Sequence, residues 1–74
     1  MVLVDKSIDI DKAKLPKAIV EILDKMEEYE KNNDDINYGF ALEELEPTIK
    51  AFILNNKLER KYYDILMRKY GGIF

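Results

Sequence analysis

The sequence predicts a small all-α protein, a single three-helix domain over residues 1–74 with a kinked central helix and a short extended N-terminal segment. Apolar residues recur at helical spacing in three stretches, and clusters of asparagine and aspartate separate them. A chain of 74 residues can form only one small core. No cysteine or histidine is present to supply a disulfide or a zinc site, so we expect tight helix packing or self-association to stabilise the fold.

The first ten residues contain two short apolar runs, residues 2–4 and 8–10, around Asp5-Lys6-Ser7. Both runs are β-like in composition, but each spans only three residues. We expect a terminal segment that packs one or two apolar side chains onto the core. A short strand or hairpin is the alternative.

The first helix is predicted for about residues 15–32. It begins near Pro16, because proline fits the first helical turn. Asp11, or the turn after it, precedes the helix. Its apolar residues fall within an arc of roughly 120°: Leu15, Ile19, Ile22, Leu23, Met26 and Tyr29. Residues 32–35 are two asparagines and two aspartates, which favour turns and N-caps, so the helix ends there.

The second helix is predicted for about residues 35–56, with Pro47 inside it. One apolar stripe keeps helical spacing on both sides of position 47 and consists of Tyr38, Leu42, Leu45, Ile49, Phe52 and Ile53. Two independent helices would not be expected to place their apolar residues on one continuous stripe. We therefore predict one helix kinked at Pro47, with Leu45, Ile49 and Phe52 buried, and a short break at residues 46–47 is the alternative. Asn55 and Asn56 end the helix.

A second apolar line lies on the opposite face of this helix and consists of Ile36, Phe40, Pro47, Ala51 and Leu54. Gly39 beside it leaves room for close approach. A helix that is apolar on two sides is normally covered on two sides, and an uncovered strip exceeds what soluble monomers usually expose. We predict a homodimer with the candidate interface Phe40, Leu54, Tyr63 and Met67. Otherwise the N-terminal segment covers the line, or it stays open for another protein.

The third helix is predicted for about residues 58–70 and ends at Gly71-Gly72. Its core side holds Leu58, Tyr62, Ile65, Leu66 and Tyr70, with Tyr63 and Met67 widening the apolar arc. The opposite face holds the candidate basic patch Arg60, Lys61 and Arg68. Asp64 lies at the centre of that patch, which weakens it as a phosphate-binding surface, so we expect no tight binding of nucleic acid.

The net charge of −3 is unevenly divided along the chain. Residues 1–47 carry six lysines against thirteen acids, a net of −7, whereas residues 48–74 carry six basic residues against two acids, a net of +4. Within residues 21–46 there are ten acids and two lysines. This acidic cluster is a solvated face or, alternatively, a docking surface for a basic partner.

Several kinds of chemistry are disfavoured by composition. Without cysteine or histidine, and with Ser7 and Thr48 as the only aliphatic hydroxyls, no familiar nucleophile–base pair can be assembled. We expect no catalytic residues, no cofactor and no metal site. No apolar run approaches the 18 residues or more of a membrane span, and the start lacks the features of a signal peptide. We therefore expect a cytoplasmic protein with no membrane contact.

The end of the chain carries a pattern of helix, tight turn and helix. Its matching positions are Leu58, Tyr62 or Tyr63, Leu66, Lys69, Tyr70 and Gly71. With these positions, residues 49–71 resemble SHOCT-like short helical modules, although Glu59 stands where the pattern has a capping serine or threonine. The whole chain also resembles small uncharacterised proteins of Gram-positive bacteria, some of them carried on mobile elements. Both resemblances imply a binding or assembly role and no catalytic activity.

These observations lead us to expect a non-catalytic protein-interaction or regulatory module of a bacterial cytoplasm, which binds itself or another protein. One alternative is a nucleic-acid-associated protein that uses the basic C-terminal helix. Another is an inhibitor or immunity-type protein that presents its acidic first half to a basic partner.

Overall fold

A computed structural model describes residues 3–71 of the chain. A short 3₁₀ turn, Lys12–Lys14, precedes three α-helices: α1 spans Lys17–Lys31, α2 spans Asp35–Leu54 and α3 spans Lys61–Tyr70. Residues 3–71 contain no strand, and the predicted all-α, three-helix fold is confirmed. Val2 and Gly72, which belong to the predicted N-terminal run and C-terminal stop, lie outside the described residues.

Asp11 and Pro16 prepare the start of α1. The Asp11 carboxylate accepts a hydrogen bond from the N–H of Ala13 at 3.0 Å and caps the 3₁₀ turn. Pro16 stands directly before α1. Its missing N–H does no harm there, because the first N–H groups of a helix have no partner within the helix. The start predicted near Pro16 is confirmed.

Two asparagines turn the chain between the helices. Asn33 and Asn56 both have φ of 57°, in the left-handed region that asparagine tolerates better than most residues. After the first turn, the Asp34 carboxylate accepts a hydrogen bond from the N–H of Asn37 at 3.2 Å and caps α2. The turns predicted at residues 32–35 and 55–56 are therefore confirmed.

Helix α2 runs without interruption through Pro47. Proline has no N–H, so the carbonyl of Glu43 loses its helical donor. Pro47 lies on the exposed side of α2, where water can take the place of that donor. One residue on, the Thr48 hydroxyl donates to the carbonyl of Glu44 at 2.8 Å. The proline is tolerated because the helical hydrogen bond it removes lies on the solvent side.

The core lies mainly between α1 and α2, and α3 packs against α2. Seven side chains are fully buried: Ile19, Leu23, Met26, Leu45, Ile49, Leu66 and Tyr70. They come from all three helices, so the single small core predicted from the sequence is a shared one. The N-terminal segment, residues 3–11, adds Val4, which is also buried.

Two predictions about the core need correction. Phe52 is only partly buried, unlike Leu45 and Ile49. It lies in the last turn of α2, at the end of the core, where fewer neighbours can surround a large ring. In addition, α3 begins at Lys61 and not at Leu58, although Leu58 is buried as expected.

The late start of α3 has a local cause. The N–H groups of Tyr62 and Tyr63 donate to the carbonyls of Glu59 and Arg60, each at 3.1 Å, so the chain enters α3 through a tight turn. No serine, threonine, aspartate or asparagine stands at residues 57–60 to cap an earlier helical start.

Two isoleucines of α2 test this arrangement as a matched pair, since Ile49 is fully buried whereas Ile36 is 70% exposed. Ile49→Ala should lower the free energy of unfolding by about 2–5 kcal/mol, the usual cost of a large core truncation. In dilute solution, where the chain is monomeric, Ile36→Ala should change it by less than about 0.5 kcal/mol. Urea unfolding followed by circular dichroism measures both changes. Similar losses in the two variants would contradict the assignment of an inner and an outer face to α2.

Candidate interaction surface

Two buried tyrosines hold the three helices in register. The Tyr38 hydroxyl of α2 donates to the backbone carbonyl of Tyr70 at 2.5 Å, and the carbonyl of Leu3 lies 3.2 Å away as a second acceptor. The Tyr70 hydroxyl of α3 donates to the Glu27 carboxylate of α1 at 2.5 Å. Burial, together with nearby carboxylates, raises the pKa of both phenols above the ordinary 10.0. Both hydroxyls therefore keep the protons that they donate.

Glu30 of α1 anchors the N-terminal segment. Its carboxylate accepts hydrogen bonds from the N–H of Leu3 at 2.8 Å and of Val4 at 2.5 Å. From the other side, the Lys69 ammonium of α3 donates to the carbonyl of Ile8 at 2.6 Å. The segment is thus tied to α1 and α3, and the packed terminus expected from the sequence is confirmed.

The outer face of α2 stays uncovered by the rest of the described chain. We call Ile36, Phe40, Pro47, Ala51 and Leu54 the outer stripe; all five are exposed. Phe40 is 63% exposed and Leu54 79% exposed. At a rise of 1.5 Å per residue, the stripe is about 27 Å long. The N-terminal segment lies elsewhere, so the alternative in which that segment covers the stripe is wrong.

A groove between α2 and α3 adjoins the C-terminal end of the outer stripe. We call it the basic groove; its volume is about 660 Å³ and it is lined by Lys50, Ile53, Leu54, Arg60, Lys61, Tyr63 and Asp64. Its apolar groups lie beside three cations and one carboxylate. Volumes of roughly 300–1,000 Å³ are typical of clefts that take up a small ligand.

Tyr63 forms a fixed wall of the basic groove. Its hydroxyl donates to the Glu46 carboxylate at 2.6 Å, and the Lys50 ammonium lies 5.6 Å from the centre of its ring. The hydrogen bond to Glu46 raises the pKa of the phenol. Because Glu46 and Lys50 belong to α2, these contacts hold the start of α3 against the end of α2.

The predicted interface residues do not form one patch. Leu54 and Tyr63 both line the basic groove, whereas Phe40 lies fourteen residues before Leu54, about 21 Å along α2. Met67 is partly buried and packs against the core, so it contributes less than expected. The predicted interface does not include Ile36, although the structure exposes it more than Phe40.

The predicted basic patch is divided in a similar way. Arg60 and Lys61 line the basic groove, and Lys50 joins them from α2. Arg68 is exposed two turns further along α3 and does not line the groove. Lys50 belongs to α2, so residue spacing within α3 could not predict that it joins these cations. The three come together only because α2 and α3 pack against each other.

The acidic cluster is partly used inside the chain. Lys12 pairs with Asp24 at 2.7 Å and with Glu27 at 2.9 Å. Glu30 holds the N-terminal segment and Glu46 accepts from Tyr63. Fewer acids than the sequence suggests therefore remain free for a basic partner.

Gly39 lies at the edge of the outer stripe without an internal packing role. A Cβ atom built on it would meet no atom within 4 Å. The close approach expected from the sequence is therefore not used within the described chain. Glycine inside a helix costs about 1 kcal/mol relative to alanine, and nothing inside the domain offsets that cost.

Among residues 3–71, no group of three or more carboxylates is placed to hold a metal ion. None of the helices described is long and apolar enough to cross a membrane. Comparison of the chain with protein-family models, curated proteins and solved structures finds no match. The resemblance of residues 49–71 to SHOCT-like modules stays a prediction.

Glu30 should make the stability of the domain depend on pH. Burial raises the pKa of its carboxyl, but the N–H groups of Val4 and Leu3 and the Lys6 ammonium outweigh burial and lower it below the ordinary 4.5. A carboxyl whose pKa is lower in the folded state stabilises the fold above its unfolded pKa. That stability is lost as the pH falls through the folded pKa.

We therefore expect Glu30→Gln to cost about 1.5–3 kcal/mol at pH 7, the range for hydrogen bonds to a charged group. The cost should shrink as the pH falls below 4.5, because the wild-type carboxyl then becomes neutral as well. Urea unfolding at pH 7 and at pH 3 measures the difference. Glu21→Gln, at an exposed position of the same helix, is the matched control. An equal cost of Glu30→Gln at both pH values would contradict this role of the carboxylate.

Proposed function

We propose that this protein is a non-catalytic interaction or regulatory module of the bacterial cytoplasm, which binds a protein partner through the outer face of α2. One observation carries the proposal: three large apolar side chains, Ile36, Phe40 and Leu54, are 63–79% exposed along a single helix. Isolated exposed apolar residues are common on soluble proteins. A row of them along one helix is typical of a surface that is covered by a partner.

The spacing of the outer stripe suits recognition of a helix or a groove. Ile36 and Phe40 are four residues apart, as are Pro47 and Ala51, and Leu54 follows three residues later. Proteins that bind an amphipathic helix in a groove contact helix side chains at these intervals. Phe40 is the strongest candidate for an anchor, because aromatic residues contribute disproportionately to binding energy.

Both aliphatic hydroxyls of the chain already have hydrogen-bond acceptors, which supports a non-catalytic role. Ser7 donates to the Asp5 carboxylate at 2.5 Å, and Thr48 donates to the carbonyl of Glu44 at 2.8 Å. The carbonyl that Thr48 meets is not a general base, and the hydrogen bonds from Ser7 lower the pKa of the Asp5 carboxyl below its ordinary 3.8, which makes it a weak base near neutral pH.

The nucleic-acid alternative has weaker support. Lys61 pairs with Glu59 at 3.4 Å, and Asp64 lies in the basic groove beside Arg60. Carboxylates among so few cations reduce the attraction of phosphate groups. Aromatic stacking is also restricted, because the Tyr63 hydroxyl is held by Glu46.

A photoreactive phenylalanine analogue at position 40 tests the proposal. In cells of the source organism, illumination should give a discrete cross-linked product, because Phe40 lies inside the contact with the partner. The same analogue at position 17, an exposed position on α1, should give little or none. Denaturing electrophoresis and mass spectrometry identify the product. If positions 17 and 40 give the same weak pattern, the outer face of α2 is not an interaction surface.

Nucleic acid provides a separate prediction. We expect no sub-micromolar affinity for single- or double-stranded DNA or RNA at about 150 mM salt, since phosphate binding weakens steeply with salt. Fluorescence polarisation with labelled oligonucleotides measures the affinity. A sub-micromolar dissociation constant that is lost in the double variant Arg60→Ala, Lys61→Ala would instead favour the nucleic-acid alternative.

A further inference from the structure

Acidic and basic residues are separated along α2 and the turns on either side of it. Residues 32–49 contain five acids and no basic residue, whereas residues 50–61 contain four basic residues and one acid. The division falls between Pro47 and Ala51 of the outer stripe. One end of this surface is therefore acidic and the other end basic, with exposed apolar side chains at both ends.

The side chains that carry these charges are exposed beside the stripe. Glu43 and Glu44 are exposed, and among residues 3–71 neither has an ion-pair partner. At the other end, Lys50, Arg60 and Lys61 line the basic groove. The internal pairs of Lys50 with Glu46 at 4.0 Å and of Lys61 with Glu59 at 3.4 Å join exposed groups, so they are weak and can be exchanged.

From this arrangement we infer that the partner of the outer stripe is a second copy of this chain, with the two α2 helices packed antiparallel about a twofold axis. The inference rests on the proposed function, because it names the partner of the same surface. An antiparallel pair places the acidic end of each copy against the basic end of the other. A twofold axis makes this contact twice, and each copy uses the same surface.

The register follows from Phe40, the largest of the exposed apolar side chains. If Phe40 lies opposite Leu54 of the partner copy, the helices cross near Pro47. The ring of Phe40 then lies at the basic groove of the partner, where Leu54 and Tyr63 supply apolar walls. Glu43 and Glu44 lie opposite residues 51 and 50 of the partner, close to Lys50 at the rim of that groove.

Gly39 fits the same arrangement. It lies about 60° around the helix from Ile36, at the edge of the outer stripe. Nothing within the described chain occupies the space beside it. In the antiparallel pair that space faces the C-terminal end of the partner's α2, where a small residue lets the two helices approach. A parallel pair would instead place acid against acid and base against base.

Association of the purified chain provides the first part of the test. At tens of micromolar, light scattering should report roughly twice the 8.7 kDa chain mass, and dilution should return the monomer. Phe40→Lys should remain folded by circular dichroism, because Phe40 is exposed, and should be monomeric, because it removes the ring and brings a cation to the partner's basic groove. A wild-type chain that stays monomeric up to millimolar concentration would overturn the inference.

Two charge-reversal variants then test the antiparallel orientation. The first carries Glu43→Lys with Glu44→Lys, and the second carries Arg60→Glu with Lys61→Glu. Each variant alone should dimerise roughly tenfold more weakly or worse, because like charges then meet at both ends of the pair. Mixed together, the two should form a heterodimer of near wild-type affinity, because both ends again pair opposite charges.

Matched controls make the same changes of net charge away from the stripe. Glu21→Lys with Glu28→Lys, and Lys17→Glu with Lys25→Glu, alter exposed residues of α1. Both controls should dimerise like the wild type. Loss of dimer in the controls, or failure of the mixed charge-reversal variants to recover it, would overturn the antiparallel arrangement.

The results also separate this inference from the proposed function. If the wild-type chain is monomeric but position 40 still cross-links to one different protein, the second copy is the wrong partner and the interaction surface remains. If the chain is monomeric and position 40 cross-links to nothing, both proposals fail.

Discussion

The buried hydrogen bonds of Tyr38 and Tyr70 are the interaction on which the rest of the structure depends. Tyr38 joins α2 to the end of α3, and Tyr70 joins α3 to Glu27 of α1. A phenol in an apolar core must find a partner, because an unsatisfied buried hydroxyl costs about 1–3 kcal/mol. Tyr70 fixes α3 against α1, and Tyr38 then bonds to α3 in only one rotation of α2 about its own axis. Other rotations would leave the Tyr38 hydroxyl without this acceptor.

The rotation of α2 decides which of its two apolar faces is buried. With Tyr38 turned to the core, Leu45 and Ile49 also face inward and become fully buried. Ile36, Phe40 and Leu54 are then on the outside, although they are as apolar as the residues within. Burial of either face would bring a hydrophobic gain, and the inner face would bring more because it has more large apolar side chains. The polar atoms of the tyrosines discriminate between the faces, since the outer stripe contains no group that could hydrogen bond to Tyr70 or Glu27.

Helical spacing predicted most of this architecture, and side-chain chemistry predicted the turns. The existence of three helices, the asparagine turns and the continuity of α2 through Pro47 all follow from local patterns. The roles of Glu27 and Glu30 could not be predicted in this way, because their partners lie on α3, the 3₁₀ turn and the N-terminal segment. On a single helix, both residues are indistinguishable from an ordinary solvated face. The basic groove was missed for the same reason, since Lys50 and Arg60 come together only through tertiary packing.

The exposed face of α2 costs this domain more than it would cost a larger one. A chain of 74 residues buries only about 60% of the surface that its unfolded form exposes, less than a larger domain does, and the apolar area left in water adds nothing to the stability of the monomer. Gly39 lowers helix stability further, without a packing reason inside the domain. Departures from local stability rules tend to collect at functional sites, and here two of them occur on the same face of one helix. A partner that covers this face would recover the lost apolar burial and add stability by mass action. Such a partner would link the folding of this protein to its association through α2.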